Sequence, residues 1–416
     1  MNQSKQLWGP FAQILTMNHL PAAGPIADNQ LEIVSGGGIV VENGMIREID
    51  NYKNLADQTT SRQMTIHELK EDLVLMPGLI DAHTHICHAG SRASDYAKRV
   101  TGVTYQEIVK QGGGIMETVR QTRQATSLEL ANSLQVRCNE LLSCGVTTAE
   151  VKSGYGLTVQ DELKMLEVIR SVHEKHPLDL IATALPAHIC PPEFEDPMRY
   201  IRHMICQLLP EVRRRNLARR ADIYIDQGAF GVEHGEVYIR EARNLGYSVT
   251  IHADQFSIGG SRLAVSWKAV SADHLEISGP PEIQQLATSH VIGTVLPGAS
   301  LGLGRPFAQV RKMIDAGMTV AIASDWNPGS APMGDLLIQA CLLGAFEKLS
   351  MAETLTGLTV NAASALECPD RGVLDEGKTA DMIAFPCNDY CEIFYRQGAL
   401  KPVYVWKKGQ KIKQDG

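Results

Sequence analysis

Short apolar runs of strand length alternate with helical periodicity through the middle of the chain. From Leu73 onward eight such runs recur, and the intervening segments, such as 128–142 and 159–173, have helical spacing. The runs are 73–83, 145–151, 179–187, 221–226, 247–252, 269–273, 291–296 and 319–324. Eight strand–helix units in about 260 residues predict a closed (β/α)8 barrel.

The two ends of the chain have stronger strand signals than the middle. Residues 31–50 predict a hairpin around the turn pair Asn43-Gly44. Near the other end, 380–385 and 403–406 predict two more strands, the second followed by a turn at Lys408-Gly409. We therefore expect an α/β protein. A discontinuous β domain of residues 1–75 and 371–416 would flank a barrel of residues 76–370.

The composition narrows the class of protein. Of 416 residues, 44% are apolar and 21% charged, which is ordinary for a soluble globular enzyme. The net charge of −8 does not favour a nucleic-acid partner, and we interpret the basic residues at 213–215 and 219–220 as a solvated helix face. No run approaches the ~18 apolar residues of a membrane span, and no secretion signal is recognisable at the start. We expect a cytoplasmic protein with no membrane partner.

The nine cysteines show no framework spacing and no pair separated by two residues. In a chain of this length, such usage predicts reduced thiols rather than disulfides. Cys87, close to two histidines, is expected to be a small buried apolar residue.

Polar residues that are suited to catalysis or metal binding recur where the predicted strands end. They are His83, His85, Lys152, Tyr155, His188, Asp226, His252, His274 and Asp325. The carboxyl ends of barrel strands converge on one mouth, so these residues should become neighbours in space. The sequence thus predicts a single site assembled from distant segments.

A metal centre is the first interpretation of this group. His83 and His85 are two apart on an extended segment, so both side chains project from one face. Together with His252 and Asp325 they form a nitrogen and oxygen set that suits Zn²⁺ or Fe²⁺ better than Mg²⁺ or Ca²⁺. Taken alone, His252 also fits a core histidine, and Asp325 fits a helix N-cap or an Asx turn.

Such a metal would lower the pKa of a bound water from about 15.7 to roughly 7, which favours hydrolysis of a C–N bond. Asp325 is then a candidate to carry the proton, and His274 to stabilise the developing oxyanion.

The segment after the first barrel strand holds candidate binding residues. Arg92 and Tyr105 are suited to hold a carboxylate, although a surface ion pair and a core ring are the plainer interpretations. The glycines at 112–114 lack the lysine and hydroxyl residue of a phosphate loop, so we expect a turn or a flexible lid. Lys152 is a candidate for a carboxylated, metal-bridging lysine, but we prefer a salt bridge.

Two motifs resemble the metal-dependent amidohydrolase superfamily, PGLIDAHTH at 77–85 and GKTAD at 377–381. More specific motifs resemble the imidazolonepropionase family of histidine degradation and lie at 90–92, 102–105, 111–123, 152–157, 187–188 and 327–330. This resemblance implies hydrolysis of 4-imidazolone-5-propanoate to N-formimino-L-glutamate, with one Zn²⁺ or Fe³⁺ per subunit. It also implies a barrel with a β-sandwich built from both termini, and a homodimer.

The resemblance also implies roles for individual residues. The metal ligands would be His83, His85, His252 and Asp325, and His274 would be catalytic. The substrate contacts would be Arg92, Tyr105, Tyr155, His188, Asn327, Gly329 and Ser330.

Two positions depart from the family pattern. Gln255 stands where the family has a catalytic glutamate, and Ile225-Asp226-Gln227 stands where Cys-Glu is usual. A glutamine keeps the hydrogen-bonding shape but cannot exchange a proton near neutral pH. The departures keep two alternatives open. One is a related hydrolase of another imidazolone or hydantoin-like ring with an acidic tail, and the other is a catalytically weak paralogue that binds metal and ligand.

Overall fold

The computed structural model describes residues 5–412, which contain two eight-stranded sheets. The strands in chain order are β1 (Gln6–Leu15), β2 (Ile33–Glu42), β3 (Met45–Asn51), β4 (Thr65–Glu68), β5 (Val74–Pro77), β6 (Leu79–Asp81), β7 (Val146–Lys152), β8 (Asp179–Ala187), β9 (Arg220–Ile225), β10 (Ser248–Ala253), β11 (Ser271–His274), β12 (Ile292–Val295), β13 (Val320–Ile322), β14 (Met382–Phe385), β15 (Tyr404–Lys407) and β16 (Gln410–Lys411).

Helices lie between most of these strands. In chain order they are α1 (Tyr52–Ala56), α2 (Thr59–Arg62), α3 (Ala93–Val100), α4 (Tyr105–Lys110), α5 (Ile115–Gln124), α6 (Ser127–Ser143), α7 (Val159–His173), α8 (Pro197–Gln207), α9 (Leu209–Arg214), α10 (Val232–Asn244), α11 (Gly260–Ser266), α12 (Pro280–Ala287), α13 (Pro297–Leu303), α14 (Val310–Asp315), α15 (Leu336–Glu347), α16 (Met351–Leu358), α17 (Val360–Ala365) and α18 (Cys391–Tyr395). None of these helices combines the length and apolar character that a bilayer crossing requires.

The first sheet joins both ends of the chain. Its strand order is β16-β15-β14-β5-β1-β2-β3, and β4 pairs with the first half of β1. The antiparallel pair β5–β14 connects the N-terminal strands to the C-terminal ones. Trp8, Phe11 and Trp406 pack in one apolar cluster, so side chains from both termini share a core. The expected joining of strands from the two ends of the chain is confirmed, in one mixed β-sheet.

The second sheet is the predicted parallel barrel. Its strands run in sequence order from β6 to β13, and each neighbouring pair is parallel. Every residue of β7 is buried, as expected for a strand covered on both faces. The helix α6 begins with a capping box, in which the Thr126 side chain accepts from the Glu129 amide and Glu129 binds back. The predicted fold class is therefore confirmed.

Two details of the sequence interpretation are wrong. The run 73–83 is not one barrel strand, because β5 pairs with β1 and β14 in the terminal sheet and only β6 enters the barrel. The basic residues at 213–220 do not form a single solvated face, because Arg220 is buried at the start of β9 beside Glu150 and Glu367. The apolar periodicity could not distinguish two short buried strands separated by a single glycine, Gly78.

The barrel closes between β6 and β13 through the segments that follow them. The Asp325 amide donates to the His83 carbonyl at 3.0 Å, and the His85 amide donates to the Trp326 carbonyl at 2.9 Å. The Ser324 amide and hydroxyl both donate to the Asp81 carboxylate. This seam places the His83-Thr84-His85 segment directly beside Asp325.

Candidate metal centre and active site

Four side-chain atoms from three parts of the barrel converge at its mouth. The Nε2 atom of His85 lies 3.2 Å from the Nε2 atoms of both His83 and His252. The Oδ1 atom of Asp325 lies 3.6 Å from His83 Nε2 and 3.4 Å from His85 Nε2. All four residues are buried. The structure thus brings together the four residues that the sequence suggested as ligands.

These separations fit a single ion. Four ligands at about 2.1 Å from a tetrahedral zinc lie about 3.4 Å from each other, and the four separations given above are close to that value. His83, His85 and Asp325 form one compact group of possible ligands, and His83 and His252 form another with His274. A carboxylate beside Nδ1 of His83 and another beside Nδ1 of His252 favour the tautomer with the proton on Nδ1. Lone pairs on Nε2 therefore point toward one another, an arrangement that a cation would stabilise. The donor set fits a zinc or iron ion.

Acidic residues on neighbouring strands orient two of the ligand rings. Asp273 Oδ2 lies 2.7 Å from His83 Nδ1 and also accepts from the Thr250 hydroxyl at 3.1 Å. Asp222 Oδ2 lies 2.9 Å from His252 Nδ1. Burial, together with Lys152 and other histidines nearby, holds the pKa values of His83 and His252 well below their ordinary range. Both rings are therefore neutral, the form in which histidine binds a metal.

Asp325 is held at the mouth by the turn that follows it. Its backbone is in the left-handed region, with φ of 53°. Its Oδ2 atom accepts from Asn327 Nδ2 at 2.9 Å, and Asn327 Oδ1 in turn accepts from the amides of Gly329 and Ser330. The Asx turn considered for Asp325 is thus made by Asn327. Burial raises the pKa of Asp325 to about 7, against the opposing effect of His274.

His274 lies beside the ligand cluster, at the end of β11. Its ring centre is 5.7 Å from that of His83 and 5.3 Å from that of His252, and Nδ1 is 3.3 Å from Glu276 Oε1. Burial alone would lower its pKa, but Glu276, Asp325 and Asp273 raise it to about 9. His274 is therefore a cation near neutral pH and can donate to developing negative charge.

Two further predicted residues line the other side of the cluster. The His188 ring stacks on the His85 ring at 5.2 Å, and its Nδ1 faces the Gly154 carbonyl at 3.1 Å. The Tyr155 ring lies 5.5 Å from His188 and 6.0 Å from His85. Burial lowers the pKa of His188 to about 3, so this ring is also neutral.

Arg92 is built into the mouth rather than free on the surface. Its Nε donates to Asp95 Oδ2 at 2.9 Å, and the same oxygen accepts from the Gly114 amide at 2.8 Å. A Cβ at Gly329 would come within 2.6 Å of Arg92 Nη1, so the guanidinium lies close against the backbone of this glycine. The ion pair considered for Arg92 is present, but it is largely buried and connects α3 to the turn at 112–114. The side chain of Tyr105, in α4, lies outside the described residues.

Gln255 and Asp226, the two residues that depart from the family pattern, make different side-chain hydrogen bonds. Gln255 Oε1 accepts from the Tyr224 hydroxyl at 2.7 Å, and the Tyr224 ring lies 5.5 Å from His252. Asp226 accepts from the backbone amides of Gln255 and Phe256 and from the Ser257 hydroxyl. Asp226 therefore fixes the loop that carries Gln255.

Several polar residues beneath the mouth are absent from the site residues predicted from the sequence. They are Glu150, Asp222, Tyr224, Asp273 and Glu276. Lys152 Nζ lies 2.7 Å from Glu150 Oε2 and 2.8 Å from Asp222 Oδ2, which confirms its salt-bridge role. The missed signal is the period of two along strands, since 150 and 152, or 222 and 224, share one face of a strand.

Three comparisons relate this chain to known proteins. The amidohydrolase family profile matches residues 265–412. An imidazolonepropionase of Brevibacillus brevis is 40% identical over 99% of both chains, and one of Geobacillus kaustophilus is 36% identical over 97% of both. An adenosine deaminase structure from Xanthomonas campestris with bound zinc has a TM-score of 0.73 at 17% identity, covering 99% of this chain and 94% of that one. The curated relatives and the motifs together show that this chain belongs to the imidazolonepropionase family of amidohydrolases.

Proposed function

We propose that the protein hydrolyses the ring of 4-imidazolone-5-propanoate to N-formimino-L-glutamate in histidine degradation, using one metal ion. The observation that carries this proposal is the convergence of His83, His85, His252 and Asp325 on one point of the barrel mouth. Family membership at 36–40% identity over nearly the full length supports the same substrate.

The bond changes define what the site must do. The oxygen of water bonds to the ring carbonyl carbon, the ring C–N bond breaks, and the departing nitrogen takes one proton of the water while the other is released as the carboxylate forms. A zinc or iron ion held by the four ligands would supply an activated water and polarise the carbonyl. Asp325 accepts the proton of the water and returns it to the nitrogen, while His274 donates to the negative oxygen that develops.

Substrate orientation falls to the residues around the ligands. Arg92 and Tyr105 would hold the propanoate, the arginine as a charged donor and the tyrosine as a hydroxyl donor. Tyr155, His188 and Gln255 would contact the ring, together with Asn327, Gly329 and Ser330 after β13. In this scheme Gln255 donates or accepts hydrogen bonds but carries no proton.

We propose Zn²⁺ or Fe³⁺ as the ion, with one ion per subunit. A second group of possible metal ligands lies close to the four proposed ones and is formed by His83, Glu150 and Asp273. The ammonium of Lys152 already fills this group, 2.7 Å from Glu150 and 3.7 Å from Asp273, which supports a single ion. The family resemblance and the composition further support a cytoplasmic homodimer without nucleic-acid or membrane partners.

Gln255 supports a second candidate, a hydrolase of another imidazolone or a hydantoin-like ring with an acidic tail. The two candidates are separated by supplying 4-imidazolone-5-propanoate and hydantoin-5-propanoate to the zinc-loaded protein. Loss of imidazolone absorbance with equimolar N-formimino-L-glutamate is the expected result. Opening of only the hydantoin would overturn the first proposal. If neither ring opens while the metal is bound, the chain is the weak metal-binding paralogue.

A further inference from the structure

A buried lysine lies beneath the ligand cluster and contacts carboxylates from three strands. Lys152 is fully buried at the end of β7. Its Nζ lies 2.7 Å from Glu150 Oε2, 2.8 Å from Asp222 Oδ2 and 3.7 Å from Asp273 Oδ2. The burial of one ammonium among three carboxylates is costly unless each charge is compensated.

The same carboxylate atoms reach the ligand histidines. Oδ2 of Asp273 lies 2.7 Å from Nδ1 of His83, and Oδ2 of Asp222 lies 2.9 Å from Nδ1 of His252. A continuous chain of charged contacts therefore runs from His83 to His252, with the ammonium of Lys152 at its centre. His83 follows β6 and His252 lies in β10, so these contacts connect rings from separate parts of the barrel.

We infer that Lys152 is a positioning residue that sets metal affinity by holding Asp273 and Asp222 against Nδ1 of the two ligand histidines. Without the ammonium, the carboxylates of Asp222, Asp273 and Glu150 would repel one another in a dry environment and turn apart. Nδ1 of His83 would then lose its hydrogen-bond partner and Nδ1 of His252 its neighbouring carboxylate, and the Nε2 atoms would lose their common direction. This inference rests on the proposed metal centre.

Electrostatic repulsion alone predicts the opposite change in metal affinity when Lys152 is removed. An ammonium close to a bound cation repels it, so a role through charge alone means that removal of Lys152 tightens metal binding. If Lys152 instead positions the ligands, its removal weakens metal binding. The sign of the change in affinity therefore separates the two roles.

The experiment measures zinc affinity by competition with a chromophoric chelator. We expect Lys152→Met to bind zinc about 10–100-fold more weakly than the native protein, the usual effect of losing an outer partner of a metal ligand. Because that variant buries uncompensated carboxylates, Lys152→Met with Glu150→Gln is measured in parallel. This double variant keeps the net charge of the cluster and should show a similar loss.

The matched control is Lys407→Met. Lys407 is also a buried lysine that pairs with two carboxylates, Asp179 and Asp381, but it lies between the barrel and the terminal sheet. It should lower stability without changing zinc affinity. As a second readout, the visible spectrum of the cobalt-substituted protein should change in the Lys152 variants and not in the control.

The outcomes separate this inference from the proposed function. If the native protein binds no zinc or cobalt, the proposed metal centre itself is wrong. If the native protein binds zinc and the double variant binds it equally tightly or more tightly, with an unchanged cobalt spectrum, Lys152 does not position the ligands.

Discussion

The substitution Gln255→Glu tests where the proton moves during ring opening. Gln255 is nearly buried, and its Oε1 accepts from the Tyr224 hydroxyl at 2.7 Å. A glutamate has the same shape and can accept the same hydrogen bond. The substitution therefore adds an ionisable group at the mouth while preserving the contact with Tyr224.

The size of the change depends on whether residue 255 must carry a proton. A positioned acid or base contributes about 10²–10⁴ in rate. If Asp325 and His274 already transfer the protons, the new carboxylate adds no catalytic group that the reaction needs. The value of kcat should then change less than about tenfold, which corresponds to about 1.4 kcal/mol of barrier. Asp325 Oδ1 already lies 3.4 Å from His85 Nε2 at the ligand cluster, which favours this outcome.

The assay is steady-state loss of imidazolone absorbance with fully zinc-loaded protein, from pH 5 to 9. Gln255→Ala serves as the control, since it removes the hydrogen bond to Tyr224 without adding an acid, and it should cost about tenfold or less. The reasoning is refuted if Gln255→Glu raises kcat a hundredfold or more, or adds a new ionisation to the pH–rate profile. The native chain would then be an impaired enzyme.

Three other substitutions or treatments test separate parts of the structure. Arg92→Met should lower kcat/KM for the propanoate substrate by about 10–150-fold through loss of a charged hydrogen bond worth about 1.5–3 kcal/mol, and should leave an uncharged-tail analogue unaffected. Dialysis against a chelator should abolish turnover, and stoichiometric Zn²⁺ or Fe³⁺ should restore it. Burial alone would raise the pKa of Asp179, but Lys407 and Arg371 hold this pKa below its ordinary value. This carboxylate therefore stabilises the fold above about pH 4 and loses that effect as the pH falls further. Urea unfolding should accordingly show a shallower acid decline for Asp179→Asn than for the native protein.

The sequence predicted the barrel because its strands and helices have different periods. The segments 128–142 and 159–173 correspond to α6 and α7, and the turn at Asn43-Gly44 joins β2 to β3, both with φ above zero as such a turn requires. The pairing of β5 with β14 could not be read from pattern, since it depends on contacts between residues more than three hundred positions apart.

The ligands were easier to predict than their supports. His83 and His252 stand out because histidines at strand ends are uncommon in a core. Asp222 and Asp273 do not stand out in the same way, since an aspartate near a strand end equally fits a turn or a surface position. Their role depends on which histidine lies across the barrel, and that neighbour is set by strand order in space.

Closure of the barrel and assembly of the site use the same segments. The segments after β6 and β13 are joined by backbone hydrogen bonds from the Asp325 amide to the His83 carbonyl and from the His85 amide to the Trp326 carbonyl, so the seam carries three of the four candidate ligands. An ion bound there would connect the two edges as well as activate water. Loss of activity after substitution of His83 or Asp325 consequently has two physical origins, failed chemistry and an opened seam. Separating them requires unfolding measurements with and without metal, since failed chemistry alone leaves the stability of the metal-free protein unchanged.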